Sequence, residues 1–219
     1  MKKYLDLLKK CNLFEGIDDE SLLRMLTCFG AKIEHFDKKH TVVPEGTPAY
    51  HIGIILSGKA QISQTDYYGN RSILSLVSPS ETFNEAFACA KTYSLPVSVV
   101  ADEDCTVMLV DCEHIIHTCE NNCGFHNKLI YNLMKDLAIK TIQSHERIDA
   151  TSKRTTREKL LAYLMNESKK AGSPKFSIPF DRQQLADYLE VERSGLSAEI
   201  SKLRSEKIIE CKKNEFVLL

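Results

Sequence analysis

Cys112, Cys119 and Cys123 stand seven and four residues apart, with His114, His117 and His126 close by in the chain. If this stretch is helical, Cys119 and Cys123 share one face. Thiolates beside imidazoles can ligate zinc or iron, or act as a redox couple. The spacing lacks the paired C-x2-C of recognisable zinc sites. Cysteine is also a small hydrophobe that fills cores, so no metal ligand and no cofactor is assigned. There are eight cysteines in all. An intracellular chain of this length is expected to keep them as thiols.

A second constellation lies near the C-terminus. In DRQQLADYLEVERSGLSAEISKLRSEKII, Leu196, Ile200 and Leu203 repeat at helical spacing and leave Arg193, Ser194, Ser197 and Lys202 on the outward side. An arginine carries paired donors that match guanine O6 and N7, and small hydroxyls can reach other base edges. Arg182 and Gln183 open the preceding helix, where helix-end N–H groups and a guanidinium suit a phosphate.

The elements that must position these residues follow from the pattern. Asp181 caps a short helix with Leu185, Ala186 and Leu189 inward, and Val191 begins a turn. Arg193–Ser205 forms a second helix, with Ala186 and Gly195 permitting a close crossing. Two short helices joined by a tight turn make a helix-turn-helix, whose second helix fits a DNA major groove. Arg157–Lys169 supplies a bracing helix with Leu160, Leu161, Leu164 and Met165 inward, and Phe176–Ile178 reads as a strand. Ile208–Glu210 and Phe216–Leu218, joined at Lys212-Lys213-Asn214, read as a wing.

Upstream, residues 1–30 read as helical, with Asp18 capping a segment that carries Leu22, Leu23, Leu26 and Phe29. Short strands follow at Lys32–Phe36, Thr41–Val43, Tyr50–Leu56, Ala60–Gln64, Ser72–Leu76, Val97–Ala101 and Thr106–Val110. Turn residues such as Pro44-Glu45-Gly46 and Tyr68-Gly69-Asn70 separate them. This spacing suggests an antiparallel sandwich or roll. His114–Thr118 reads as a short helix. Phe125–Ala150 then lacks Gly and Pro and carries a seam of Ile130, Leu133 and Leu137, flanked by Leu129, Met134 and Ile142. A second copy of the chain is an economical partner for that seam.

The predicted class is α+β: an N-terminal antiparallel β-roll of jelly-roll type over 1–124, a dimerisation helix over 125–150, and a winged helix-turn-helix over 151–219. Charge divides at the same place. Residues 1–150 hold 15 basic against 20 acidic residues, a net of −5, and residues 151–219 hold 14 against 10, a net of +4. The whole-chain value of −1 is therefore a cancellation between an acidic body and a basic head.

The order of β-rich body, long helix and DRQQLADYLEVERSGLSAEISKLRSEKII resembles the Crp/Fnr family of bacterial transcription regulators. KRTTREKLLAYL is similar to that family's first DNA-binding-domain helix. The resemblance implies a cyclic-nucleotide-binding-type roll, a homodimer, double-stranded DNA as partner, a small-molecule effector and RNA polymerase as a further partner. It also implies an effector site at Phe83, Asn84, Glu85 and Ala86, together with Pro96, Val97 and Ser98. Nucleotide-binding members open the first of these segments with Phe-Gly-Glu and supply an arginine in the second. Here Asn84 stands for the glycine, and Ser94-Leu95-Pro96-Val97-Ser98 has no arginine. A buried phosphate without a cation loses its main anchor, so the effector is expected not to be cyclic AMP. Ser194 and Ala198 replace a Glu and an Arg of the cyclic-AMP receptor, so a different half-site is expected, with more of it read through DNA shape.

Rival readings are a redox- or metal-responsive regulator using the Cys112/Cys119/Cys123 region, and a regulatory module whose winged helix binds protein. An enzyme has no support: no Gly-rich phosphate loop, G-x-S-x-G or H-E-x-x-H occurs. Asp6, Lys9 and Lys10 interrupt the apolar stretch a secretion signal requires, and no apolar run reaches membrane-spanning length. A cytoplasmic protein without a membrane partner is expected.

Overall fold

The structure, a computed structural model, describes residues 1–69, 71–116 and 125–219. It divides into two compact units, Met1–Tyr68 with Leu74–Ile139, and Gly69–Ile73 with Lys140–Leu219. Asn70, His117, Thr118, Cys119 and Cys123 lie outside the described residues.

The first unit opens with helices α1 (Leu5–Leu8) and α2 (Asp19–Cys28). The Asp18 carboxylate caps α2 by accepting from the Ser21 backbone N–H at 3.0 Å. Strands follow: β1 (Lys32–Phe36), β2 (Thr41–Val43), β3 (His51–Ser57), β4 (Ala60–Thr65), β5 (Arg71–Val77) and the two-residue β6 (Thr82–Phe83). After helix α3 (Glu85–Cys89) come β7 (Ser98–Ala101) and β8 (Cys105–Asp111), then helix α4 (Cys112–Ile116) and the long helix α5 (His126–Thr151). Two four-stranded sheets result, in the orders β1-β8-β3-β6 and β2-β7-β4-β5. The pairings β1–β8, β3–β8, β3–β6, β2–β7 and β4–β7 are antiparallel. This is the expected sandwich.

Alternation along β3 explains how one strand serves two cores. Ile55 joins Phe83, Val99, Ala101 and Val107 inside the sandwich. Ile52, Ile54 and Leu56 join Leu22, Leu26, Leu129 and Leu133 on the opposite face, against the helices. Gly53 is required here by close approach. A Cβ at this position would lie 2.0 Å from Cζ of Phe83, so the ring rests on bare backbone.

In α5 the apolar seam divides. Leu133 is buried in the first unit's own helical core, with Leu137 packed against it. Ile130 is half-buried. The burial stripe also contains polar residues, Asn132 and Asp136. Asn132 donates to the carbonyls of Leu13 at 3.1 Å and Glu15 at 2.9 Å, and Asp136 accepts from Thr82 and Asn12. Tyr131, Met134, Ile142 and Ile148 are the large apolar residues exposed on this helix, each at least 60% exposed.

The second unit takes the C-terminal part of α5 and continues with α6 (Thr156–Ala171), β9 (Lys175–Ser177), α7 (Arg182–Leu189), α8 (Arg193–Ser205), β10 (Ile209–Lys212) and β11 (Glu215–Leu218). Capping boxes start α6 at Thr155/Glu158 and α7 at Asp181/Gln184. Tyr163 joins Leu160 and Leu164 in the buried face of α6, whereas Met165, expected inward, is exposed. The small sheet has the order β10-β11-β9, and Phe216 stacks on Phe176 opposite it. No described helix is long and apolar enough to cross a membrane.

Candidate nucleic-acid interface and effector segment

Helix α8 buries Leu196, Ile200 and Leu203, the three residues its periodicity marked as inward. Arg193, Ser194, Ser197 and Lys202 are exposed on its other side. Arg157 of α6 forks onto this helix, donating to Glu199 at 3.2 Å and Glu206 at 2.5 Å. The guanidinium in turn holds the Glu206 carboxyl below the ordinary carboxylate value. Lys159 of the same helix donates to the carbonyls of Leu189 and Glu190 at 3.2 and 3.3 Å, where α7 ends. The Lys159 contacts satisfy orphan carbonyls with a cation at a helix C-terminus, and the two cations together tie both short helices to α6.

The N-terminus of α8 is capped by Glu192, which accepts from the Gly195 N–H at 3.0 Å and from the Ser194 hydroxyl. These donors depress the Glu192 carboxyl, the Ser194 hydroxyl most of all. Ser194 is therefore engaged by the cap, while Arg193 and Ser197 keep their side chains outward. Gly195 does not mediate the expected close helix crossing. It is exposed, and a Cβ there would meet nothing nearer than Glu192 Oε2 at 4.0 Å. Ala186, its expected counterpart, is fully buried.

Arg182 also has a different environment from the one expected. Its guanidinium lies 5.2 Å from the centroid of the Phe216 ring and donates to the Lys213 carbonyl at 2.9 Å and to Cys211 Sγ at 2.7 Å. It ties the start of α7 to the wing. Gln183 is exposed and donates to Asp187 at 2.8 Å. A concavity of about 670 Å³ lies between α8 and the wing, lined in part by Lys175, Ser201, Arg204 and Lys212. Nothing in the local pattern marks Lys175, which reaches it from a different strand.

In the first unit, Phe83 is buried on Gly53 and Asn84 adopts the left-handed conformation with φ of 67°. Asn84 tolerates that region better than most residues, and its amide donates to the His51 carbonyl at 2.8 Å. Glu85 is buried at the start of α3, and Ala86 is exposed. Val97 is buried, Ser98 half-buried and Pro96 exposed. Ser98 donates to the Ser63 carbonyl at 3.4 Å. Among the described residues, no lysine or arginine is buried.

Of the cysteine cluster, Cys112 is described. It is buried at the start of α4, with its sulfur 3.7 Å from that of Cys89 at the end of α3. His126 is buried against Phe29 and its Nε2 donates to the His114 carbonyl at 3.2 Å. Among the described residues, no three His, Cys, Asp or Glu side chains converge as metal ligands.

Comparison with known proteins gives these two regions their names. The cyclic nucleotide-binding domain family matches residues 33–122, and the Crp-like helix-turn-helix domain family matches residues 158–219. The CRP-like cAMP-activated global transcriptional regulator of Mycobacterium tuberculosis is 31% identical over 80 residues, which is 36% of this chain and 35% of that protein. The match thus spans about a third of that relative. Among solved structures, the c-di-GMP responsive global regulator CLP of Xanthomonas campestris superposes with a TM-score of 0.72 at 14% identity, over 92% of this chain and 99% of that one. FixK2 of Bradyrhizobium japonicum gives 0.65 at 19% identity, over 86% and 92%. With the sandwich, the long helix and the winged helix-turn-helix in this order, the chain belongs to the Crp/Fnr family of transcription regulators.

Proposed function

We propose that this DNA-binding regulator works as a homodimer controlled by a small effector other than cyclic AMP. Residues 1–124 form the effector domain, 125–150 the dimerisation helix and 151–219 the reading head, acting in the cytoplasm together with RNA polymerase. The observation that carries the DNA-reading assignment is α8, with Leu196, Ile200 and Leu203 buried and Arg193, Ser197 and Lys202 outward. That is the division a helix lying in a major groove requires. Arg193 reads base edges, and Lys202 and the cations around the wing concavity meet phosphates. Arg182 contributes by holding the wing rather than by standing free for phosphate.

Dimerisation is assigned to the exposed face of α5 at Tyr131, Met134, Ile142 and Ile148, since the expected seam residue Leu133 is already buried in its own chain. Ile130 and Leu137 flank that face. The effector is assigned to the neighbourhood of Phe83, Asn84, Glu85 and Ala86 with Pro96, Val97 and Ser98. The Mycobacterium relative is named for activation by cAMP. Here Asn84 spends its amide on the His51 carbonyl, and residues 94–98 provide no cation for a phosphate. Whatever binds must prefer one arrangement of the chain, since equal affinity for two arrangements shifts nothing.

The test is selection of bound duplexes from a random library, followed by titration of the preferred site at several salt concentrations. A defined near-palindromic site and a steep salt dependence support the reading. Absence of duplex binding at low salt, with or without small molecules from a cell extract, sinks it. Added cyclic AMP is expected to leave both thermal stability and DNA affinity unchanged.

A further inference from the structure

Cys89 and Cys112 are 23 residues apart in sequence and 3.7 Å apart at sulfur. They occupy two short helices that follow different strands, α3 after β6 and α4 directly after β8. Cys89 is half-buried and Cys112 is buried. The Cys112 end borders a crevice of about 280 Å³, lined also by Tyr50, Ala88, Thr92 and Tyr93. The crevice thus reaches the Cys112 side, while Cys89 keeps partial solvent access of its own, by which a small oxidant meets it. An ion pair between Lys91 and Glu113, at 2.6 Å, bridges the same two segments immediately beside the sulfurs. A disulfide needs its sulfurs about 2.05 Å apart, so closure requires the sulfurs to approach by less than 2 Å.

We infer that Cys89 and Cys112 form a peroxide-responsive dithiol that closes into an intramolecular disulfide. Cys89 reacts first, being the more exposed sulfur. Its thiolate is stabilised by accepting the hydrogen bond from the Cys112 thiol, which lowers the Cys89 thiol below its ordinary value. That hydrogen bond and burial keep the Cys112 proton in place. The Cys89 thiolate attacks a hydroperoxide, forming an S–O bond and breaking the O–O bond; the departing oxygen takes a proton from water and leaves as alcohol, or as water if the oxidant is hydrogen peroxide. The Cys112 sulfur then attacks Cys89 sulfur, breaking the S–O bond, and its proton leaves with the hydroxyl as water. Two electrons pass from the sulfur pair to one peroxide.

The bond ties the end of α3 to the start of α4. Helix α3 begins with Glu85 and directly follows Asn84, which is anchored on the His51 carbonyl. His51 lies opposite Asp111, the residue before Cys112. Closing the pair therefore stitches the proposed effector segment to the strand pair beneath it. This device differs from the Cys112/Cys119/Cys123 arrangement expected from spacing, since it uses a partner far away in sequence.

The test uses the full chain, reduced, then exposed to stoichiometric hydrogen peroxide, alkylated, digested and mapped by mass spectrometry. The expected result is loss of two thiols per chain, a cross-linked Cys89–Cys112 peptide lighter by two hydrogens, and full reversal by dithiothreitol. Cys89→Ser, at a half-buried site, is expected to abolish that peptide while Cys112 remains alkylatable. Oxidation that stops on Cys89 as a sulfur oxyacid overturns the proposal. So does a map in which Cys89 and Cys112 stay alkylatable while other cysteines are oxidised. The readout is taken without DNA, so it stands or falls apart from the DNA-binding reading.

Discussion

The Thr82 hydroxyl donates to the Asp136 carboxylate at 2.7 Å in a buried setting, joining β6 to α5 across 54 residues of sequence. Thr82 immediately precedes Phe83, Asn84 and Glu85, so the proposed effector segment is tied to the helix whose opposite face is apolar and exposed. Asn12 also donates to Asp136, at 3.2 Å.

Thr82→Val removes a charge-assisted donor and keeps the side-chain shape. It is expected to lower stability by about 1–3 kcal/mol, more than Asn12→Ala does. Urea unfolding of both variants checks the order. Equal losses would show that the shorter, more buried bond is not the dominant one.

Arg193→Ala is expected to cost about 1–3 kcal/mol of discrimination at each contacted base pair. Lys202→Ala should instead weaken all duplexes alike and reduce the salt slope by about one. Competition binding with single-base site variants, repeated at several salt concentrations, separates the two outcomes.

Arg182→Ala is expected to loosen the wing without altering which bases are preferred. The guanidinium stacks on Phe216 and holds the Lys213 carbonyl, so its loss should show as faster amide hydrogen exchange in β10 and β11. A changed base preference with unchanged exchange would return Arg182 to the DNA surface.

Substitutions at two consecutive residues of α5, one buried and one exposed, should behave oppositely. Leu133→Ala leaves a cavity in the helical core and is expected to cost about 2–5 kcal/mol of stability. Met134→Lys puts a charge on the exposed apolar face and is expected to shift dimer to monomer in analytical ultracentrifugation, with little loss of fold. Dimers that persist in Met134→Lys would remove that face from the interface.

The α8 cap carries a pH signature. Glu192 is held below its ordinary value of 4.5 by the Ser194 hydroxyl and the Gly195 N–H. A depressed carboxyl contributes stability that is present above the ordinary value and lost as pH falls through the lower folded one. The stability gap between the wild-type protein and Glu192→Gln is therefore expected to be full at neutral pH and to narrow as pH falls below the ordinary value of 4.5. Circular dichroism during acid titration of both proteins measures it.

Element positions were readable wherever a local pattern decides them. The bounds Lys32–Phe36, Thr41–Val43 and Arg193–Ser205 agree residue for residue with the alternation or helical period in the sequence. β6 escaped because two residues are too few to show alternation. The burial phase of α5 was harder, because it depends on Asn132 and Asp136, whose partners Leu13, Glu15 and Thr82 are distant in the chain. Counting apolar residues alone assigned Leu133 to a partner chain when it belongs to its own. Arg182 shows the same gap at the site: a cation at a helix start reads as a phosphate contact until an aromatic ring from the wing is found beneath it. The approach of Cys89 to Cys112 is likewise a product of sheet register, which no local spacing encodes.

Gly195, in the first turn of α8, is a poorer helix former than alanine, and no neighbouring atom of the protein requires a glycine there. The position is thus a clearance on the outer side of α8. A methyl group added there is expected to strengthen the free protein. Any DNA affinity it removes would measure how tightly the duplex fits, as a feeler gauge reads a gap without bending either wall.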